Sequence, residues 1–201
     1  MGEEQVREVA KKLADTRVDL VVSSDLQRAL RTGEAIVAAN PSVTSLDTWQ
    51  EARERCFGEF EGQPADMLIS ASAKAKEMGK LKEWGPLGGE TGEQFRERVK
   101  LFLSRLCKAV LAKEWELNPV VLVTSHGGFI KEFNCMMVEE FNCEMPGKKG
   151  EHGRICPNTG ISRYTLNLDQ EGTLSSIKCT LLHSKDHLGS LEGPEPVLYG
   201  V

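Results

Sequence analysis

Three short stretches of this sequence carry side chains suited to handling a phosphoryl group, and each lies at or near the end of a strand-like run. In VVLVTSHGGF an apolar run ends in Ser125-His126-Gly127-Gly128 ahead of a segment with helical periodicity. Ligands in open α/β sheets bind outside the carboxyl ends of the strands, and glycines let a backbone approach them closely. His126 therefore falls where the first N–H groups of the next helix point, which suits a phosphate. The alternative is a core histidine satisfied by hydrogen bonds. In VVSSDLQRALRT the same kind of junction places Arg28 near the first turn of a helix. Guanidinium offers a rigid fork of donors that matches phosphate oxygens and stays charged at physiological pH. Alone, Arg28 reads as a solvated helix arginine; at a second strand tip, together with His126, it reads as an anion ligand. The third stretch, Glu51-Ala52-Arg53-Glu54-Arg55-Cys56-Phe57-Gly58, alternates carboxylates with guanidiniums. Such a run can be an ion-paired surface. A carboxyl group held near phosphate can instead protonate a leaving alkoxide, provided burial or nearby anions keep its pKa high. Spacing does not choose between Glu51 and Glu54 for that role.

Other chemistries find less support. His183-x-x-x-His187 has the spacing of a helical metal pair, but the glutamate after the first histidine is absent and the pair follows a strand, so no metal site is expected. His152 reads as solvent-facing. No P-loop, G-x-G-x-x-G or G-x-S-x-G occurs, which removes the common nucleotide, dinucleotide and serine-hydrolase signatures. The six cysteines include no C-x-x-C pair and read as free thiols in a reducing compartment. Lys+Arg 25 against Asp+Glu 30 leaves a net charge of -5, with the two signs interleaved along most of the chain. That disfavours nucleic acid as a partner and leaves a local basic pocket open. There is no apolar run of ~18 residues to span a bilayer. The acidic start MGEEQVREVAKK lacks the basic segment and apolar run of a signal peptide, so a cytoplasmic address is expected.

At 201 residues the length points to one domain, by the rule of about 100 to 200 residues each. That domain is expected over 1–188, with a loosely held Gly/Pro-containing tail over 189–201. Val6, Val9, Ala10 and Leu13 mark an opening amphipathic helix. Val18 to Val22 reads as a strand covered on both faces, and Ser23, Ser24 and Asp25 offer N-caps for a helix over 26–39. Val43 to Leu46 could be a brief strand. Residues 48–63 form a long polar loop, and a mostly polar helix is expected from about Pro64 to Met78. Thr91-x-x-Gln94 is a capping box opening a long half-buried helix through Phe95, Val99, Phe102, Leu103, Leu106 and Val110. Val120 to Thr124 reads as a fully buried strand feeding a helix over 129–140. Ile161 to Leu168 and Thr173 to Leu182 form a hairpin across Asp169-Gln170-Glu171-Gly172. Helices alternating with buried strands give an α/β fold with helices on both faces of the sheet.

The segments SSDLQRALRT, RERCFGEFEG, GGET, VLVTSHGGFIK, PNTGISRY and KDHL, in this order, resemble the histidine phosphatase superfamily, which includes the phosphoglycerate mutases and fructose-2,6-bisphosphatases. The resemblance covers nearly the whole chain. It implies a three-layer α/β/α, phosphoglycerate mutase-like fold and hydrolysis of a phosphomonoester through a phosphohistidine. The substrate implied is a small phosphorylated sugar, fructose 2,6-bisphosphate, so that the reaction opposes glycolysis. It further implies that Arg28 grips the phosphate and that Glu54 protonates the leaving oxygen and later activates water. His126 would bind equatorial oxygens and stabilise charge in the transition state, with Gly127, Asn158 and Thr159 lining the pocket. No cofactor or metal is implied, and members of the family can also reach the nucleus or mitochondria. A mutase would use the same residues.

One departure matters most. The family's nucleophile is the histidine of an Arg-His-Gly motif on the first, central strand, and no Arg-His-Gly occurs in these 201 residues. The sequence therefore reads as an N-terminally truncated product or gene model, lacking the first central strand and inactive as given. A non-catalytic phosphate-binding or interaction module is the alternative. The absent strand would lie beside the one carrying Ser125-His126-Gly127. Each buried, unpaired backbone group along the gap would cost about 1 to 3 kcal/mol, so an unstable or rearranged chain is expected. A second departure is the short link from Ala112 to Pro119, where fructose-2,6-bisphosphatases carry a longer insertion.

Overall fold

The computed structural model describes residues 2–191. Helix α1 (Gly2–Leu13) is followed by strand β1 (Leu20–Ser23), helix α2 (Gln27–Ala39) and a two-residue strand β2 (Asp47–Thr48). The loop after β2 contains short 3-10 turns at Gln50–Ala52 and Gly58–Phe60 and leads into α3 (Ala65–Glu77) and the long α4 (Gly92–Leu111). Strand β3 (Val121–Thr124) runs into α5 (Gly127–Phe141), and β4 (Ile161–Leu168) and β5 (Leu174–Ser184) close the described chain as an antiparallel hairpin.

Strands β2, β1 and β3 form a parallel sheet in that order, while β4 and β5 form a separate two-stranded sheet. Helical layers cover both faces. On one, Val22, Trp49, Val99, Phe102, Phe129, Met136 and Met137 build the main core, and Val121, Val123, Tyr164 and Leu166 pack against it. On the other, Val9, Ala10 and Ile36 of α1 and α2 meet Leu122 and Ile161. Strands β3 and β4 thus lie beneath the same helices without sharing a ladder. The architecture is the three-layer α/β/α one, and among the described residues β3 is an edge strand of the parallel sheet.

Local sequence explains most elements. Leu20 to Ser23 are buried on both faces, as a short apolar run in a covered parallel sheet should be. The Thr91 capping box is complete: the Gln94 N–H donates to Thr91 Oγ1 at 3.1 Å, and the Thr91 N–H donates to Gln94 Oε1 at 2.8 Å. Helix α2 packs tightly on the strands, since a Cβ on Gly33 would lie 2.9 Å from Thr124 Oγ1 and 2.7 Å from Leu46 Cδ1.

Four expectations need correction. The brief strand lies at Asp47–Thr48 and not at 43–46, because the ladder is set by pairing with Val22 and Ser23 and by the burial of Trp49 against Phe102. Helix α2 has Leu26 as its N-cap with no side-chain cap, because the helix starts at Gln27 and leaves Ser24 two residues before the cap, where its Oγ accepts from the Leu26 N–H and meets His126. Val121, Leu122 and Val123 are only half-buried, since among the described residues no strand pairs with the outer edge of β3. His152 is half-buried in a 3-10 turn at Glu151–Gly153. Of the tail expected over 189–201, Gly189–Leu191 forms a 3-10 turn held by a 2.9 Å bond from Gln5 Nε2 to the Leu191 carbonyl; the remainder lies outside the described residues.

Candidate phosphate site

The site is built where β1 and β3 end. His126 is the N-cap residue of α5, only 4% exposed, and its Nε2 lies 2.8 Å from Ser24 Oγ at the tip of β1. Ser24 Oγ also accepts from the Leu26 N–H at 3.2 Å, and whether His126 Nε2 donates to it or accepts from it follows the imidazole tautomer. The other ring nitrogen, Nδ1, is buried and has no hydrogen-bond partner among the described residues. Burial, reinforced by Arg28 and Arg98, pushes the His126 pKa down to about 4 against the pull of Asp25, so the ring is neutral near pH 7. With its proton on Nδ1, the imidazole would present, at a helix N-terminus, a buried donor that an anion completes.

Glu54 approaches from the loop after β2. Its Oε2 accepts from the Gly128 N–H at 2.9 Å, on the first turn of α5, and its Oε1 accepts from the Arg55 N–H at 3.0 Å. A Cβ on Gly128 would lie 2.3 Å from Glu54 Oε1, so this close approach requires glycine. Arg28 is exposed in the first turn of α2, near enough to His126 to disfavour its charged form. Beside it, Arg53 grips Asp25 through two bonds of 2.6 and 2.5 Å, which hold the Asp25 carboxyl below its ordinary pKa.

Gly127 meets the loop that precedes β4: a Cβ there would lie 2.5 Å from Ile155 Cγ2 and 3.1 Å from the Cys156 carbonyl oxygen. Asn158 is exposed. Thr159 takes a left-handed φ of 54°, and its Oγ1 lies 3.2 Å from His187 Nε2. The structure therefore gathers Arg28, Glu54, His126 and Gly127, and it brings up the segment carrying Asn158 and Thr159 with the Thr159 hydroxyl turned to His187. His183 is bonded to Asn134 at 3.0 Å. Among the described residues no group of three or more metal-ligating side chains occurs, and no helix is long and apolar enough to cross a membrane.

Sequence reasoning missed Ser24 as the partner of His126, treating it as a helix cap. It also passed over Glu90 and Arg98, which grip the backbone of the Glu54 loop. Burial works against the charged form of Glu90, and bonds from Arg98 and the Cys56 N–H more than offset it, so its carboxyl is held below the ordinary value. Glu90 lies in the GGET segment that carries part of the family resemblance, and that was the available signal.

Residues 1–177 match the family model described as histidine phosphatase superfamily (branch 1). The chain belongs to the histidine phosphatase superfamily. This histidine phosphatase is 29% identical over 225 residues to fructose-2,6-bisphosphatase TIGAR B of Danio rerio, covering 96% of this chain and 87% of that one. It is 32% identical over 136 residues to glucosyl-3-phosphoglycerate phosphatase of Mycolicibacterium vanbaalenii, covering 65% of this chain and 58% of that one. Its fold matches the phosphoglycerate mutase from Bacillus anthracis at a TM-score of 0.70 with 18% identity, over 92% of this histidine phosphatase and 81% of the mutase.

Proposed function

We propose that this chain binds the phosphoryl group of a small phosphorylated sugar at the tips of β1 and β3, as a phosphomonoesterase of the fructose-2,6-bisphosphatase kind. The observation that carries the reading is the buried, unpartnered Nδ1 of His126 at the head of α5, with Arg28 and Glu54 beside it. Arg28 grips the phosphate oxygens, and His126 donates to an equatorial oxygen and stabilises the charge that develops there. Glu54, bonded to the Gly128 N–H on the first turn of α5, exchanges a proton with the leaving oxygen in this reading. Gly127, Asn158 and Thr159 line the pocket through their backbone. Likeness to the TIGAR sequence supports fructose 2,6-bisphosphate as substrate, and with it a cytoplasmic role opposing glycolysis.

A second reading, a phosphate-binding module without turnover, draws support from the histidines. No Arg-His-Gly occurs in the 201 residues, and His183 and His187 are engaged by Asn134 and Thr159. Calorimetry with orthophosphate and fructose 2,6-bisphosphate, run beside a phosphate-release assay, tests both. Arg28→Ala should weaken orthophosphate binding about 10- to 100-fold, the worth of hydrogen bonds to a charged group. No binding by the wild-type chain, or binding by Arg28→Ala and His126→Ala equal to that of the parent, ends the proposal. Binding without release selects the module, and release selects the enzyme.

A further inference from the structure

The Glu54 carboxylate accepts from the Gly128 N–H, and it sits on a loop between two 3-10 turns that has to be held in place for that bond to form. Arg98, on the second turn of α4, holds it. Its Nη1 donates to the carbonyls of Glu51 at 3.0 Å and Arg53 at 2.7 Å, and its Nη2 donates to the carbonyl of Glu54 at 3.0 Å. The two remaining donors go to Glu90, Nε to Oε1 at 2.7 Å and Nη2 to Oε2 at 2.6 Å. A guanidinium has five N–H groups, and all five are used. Glu90 Oε2 also accepts from the Cys56 N–H at 2.9 Å. The pair therefore holds the backbone around Glu54, before it through two carbonyls, at it through its own carbonyl and after it through one amide. The Arg98 and Glu90 side chains are 18% and 22% exposed, so water has little room to take their place. The pair is itself fixed. The Arg98 guanidinium lies 4.9 Å from the Phe95 ring centroid, and Arg55 donates to the Glu90 carbonyl at 3.0 Å.

The geometry assigns Arg98 and Glu90 as positioning residues that place the Glu54 carboxylate on the first turn of α5, themselves contacting no substrate. This rests on the reading of Glu54 as the proton donor. A lysine could not replace Arg98, because a single ammonium cannot span three carbonyls and a carboxylate.

The Gly128 amide resonance reports the assignment directly, since its proton points at Glu54 Oε2. In ¹H–¹⁵N spectra of the full chain, Glu54→Gln defines the shift of Gly128 without the carboxylate. Arg98→Met and Arg98→Lys should move Gly128 to that position, and the double variant Glu54→Gln/Arg98→Met should move it no further, while the amides of α4 and β1 stay in place. Glu90→Gln, which keeps the side-chain shape, should move it in the same direction and covers the case in which Arg98 variants fail to fold. A residue that merely stabilises the fold would lower the melting temperature and leave Gly128 unmoved. That result, full rescue by Arg98→Lys, or additive shifts in the double variant would overturn the assignment. The readout needs neither bound phosphate nor turnover, so it stands apart from failure of the phosphate-site proposal.

Discussion

The two edges of β3 are built from the same apolar run but live differently. Along its inner edge β3 pairs with β1 over four residues, Leu20 with Val121 through Ser23 with Thr124, and the ladder ends at the Ser24 N–H bonded to the Thr124 carbonyl at 2.9 Å. A strand residue's N–H and C=O lie on the same side, so the ladder engages Leu122 and Thr124 and turns the backbone groups of Val121 and Val123 outward. No strand pairs with that outer edge among the described residues. The contrast teaches that packing and pairing are separable here. Helices bury the side chains of β3 and β4 in common cores, but the backbone ladder stops at β3. Hydrogen exchange should expose this as the largest effect: Val121 and Val123 amides exchanging at least about 100-fold faster than Leu122 and Thr124, since local opening spans free energies from near zero to the global value. Heating should loosen the β4–β5 hairpin before β2, β1 and β3. Uniform protection across β3, with one cooperative melt and full near-UV dichroism, would erase the distinction.

The inner edge has its own weak point, and it is acid. His126 ends the seam by bonding Ser24, and burial has lowered its pKa from 6.5 to about 4. As pH falls below 6.5 the unfolded chain takes up a proton that the folded chain refuses. Stability is therefore lost progressively from about pH 6.5 down to about pH 4 and is unaffected above that window. The shift corresponds to about 3 kcal/mol at most. His183 and His187 are also lowered by burial, so they add losses of the same sign. Urea unfolding at pH 7 and pH 4.5 should show a smaller acid loss in His126→Ala than in the parent. An equal loss in both would mean that the seam does not depend on this imidazole.

What the sequence made legible follows the range of each interaction. The capping box of α4, the buried run of β1 and the β4–β5 hairpin are signalled within a few residues, and their positions were read within one or two. Strand β2 escaped because two exposed residues carry no pattern; their register comes from Val22 and Ser23, more than twenty positions earlier. The half-burial of β3 escaped for a different reason, since an apolar run cannot report whether a neighbour will pair with it. In the site, Arg28, Glu54 and His126 were legible from strand-end placement and motif resemblance. Ser24 and Arg98 were not, because the bonds that give them meaning span 102 and 44 residues.

The smallest test compares two valines. Val22 and Val123 are direct partners in the β1–β3 ladder and pack in the same core, but Val22 has a strand on each side and is fully buried, while Val123 has one and is half-buried. Truncating each to alanine removes the same two methyl groups, so any difference reflects surroundings alone. Val22→Ala should cost about 2 to 3 kcal/mol, from lost transfer energy and the cavity left behind. Val123→Ala should cost about half that, because its outer side can relax or admit water. The two touch a shared core, so the double variant should fall short of the sum. Equal single costs in urea unfolding would show that β3 is as firmly enclosed on its open edge as on its paired one, and the break in the sheet would then have no energetic meaning.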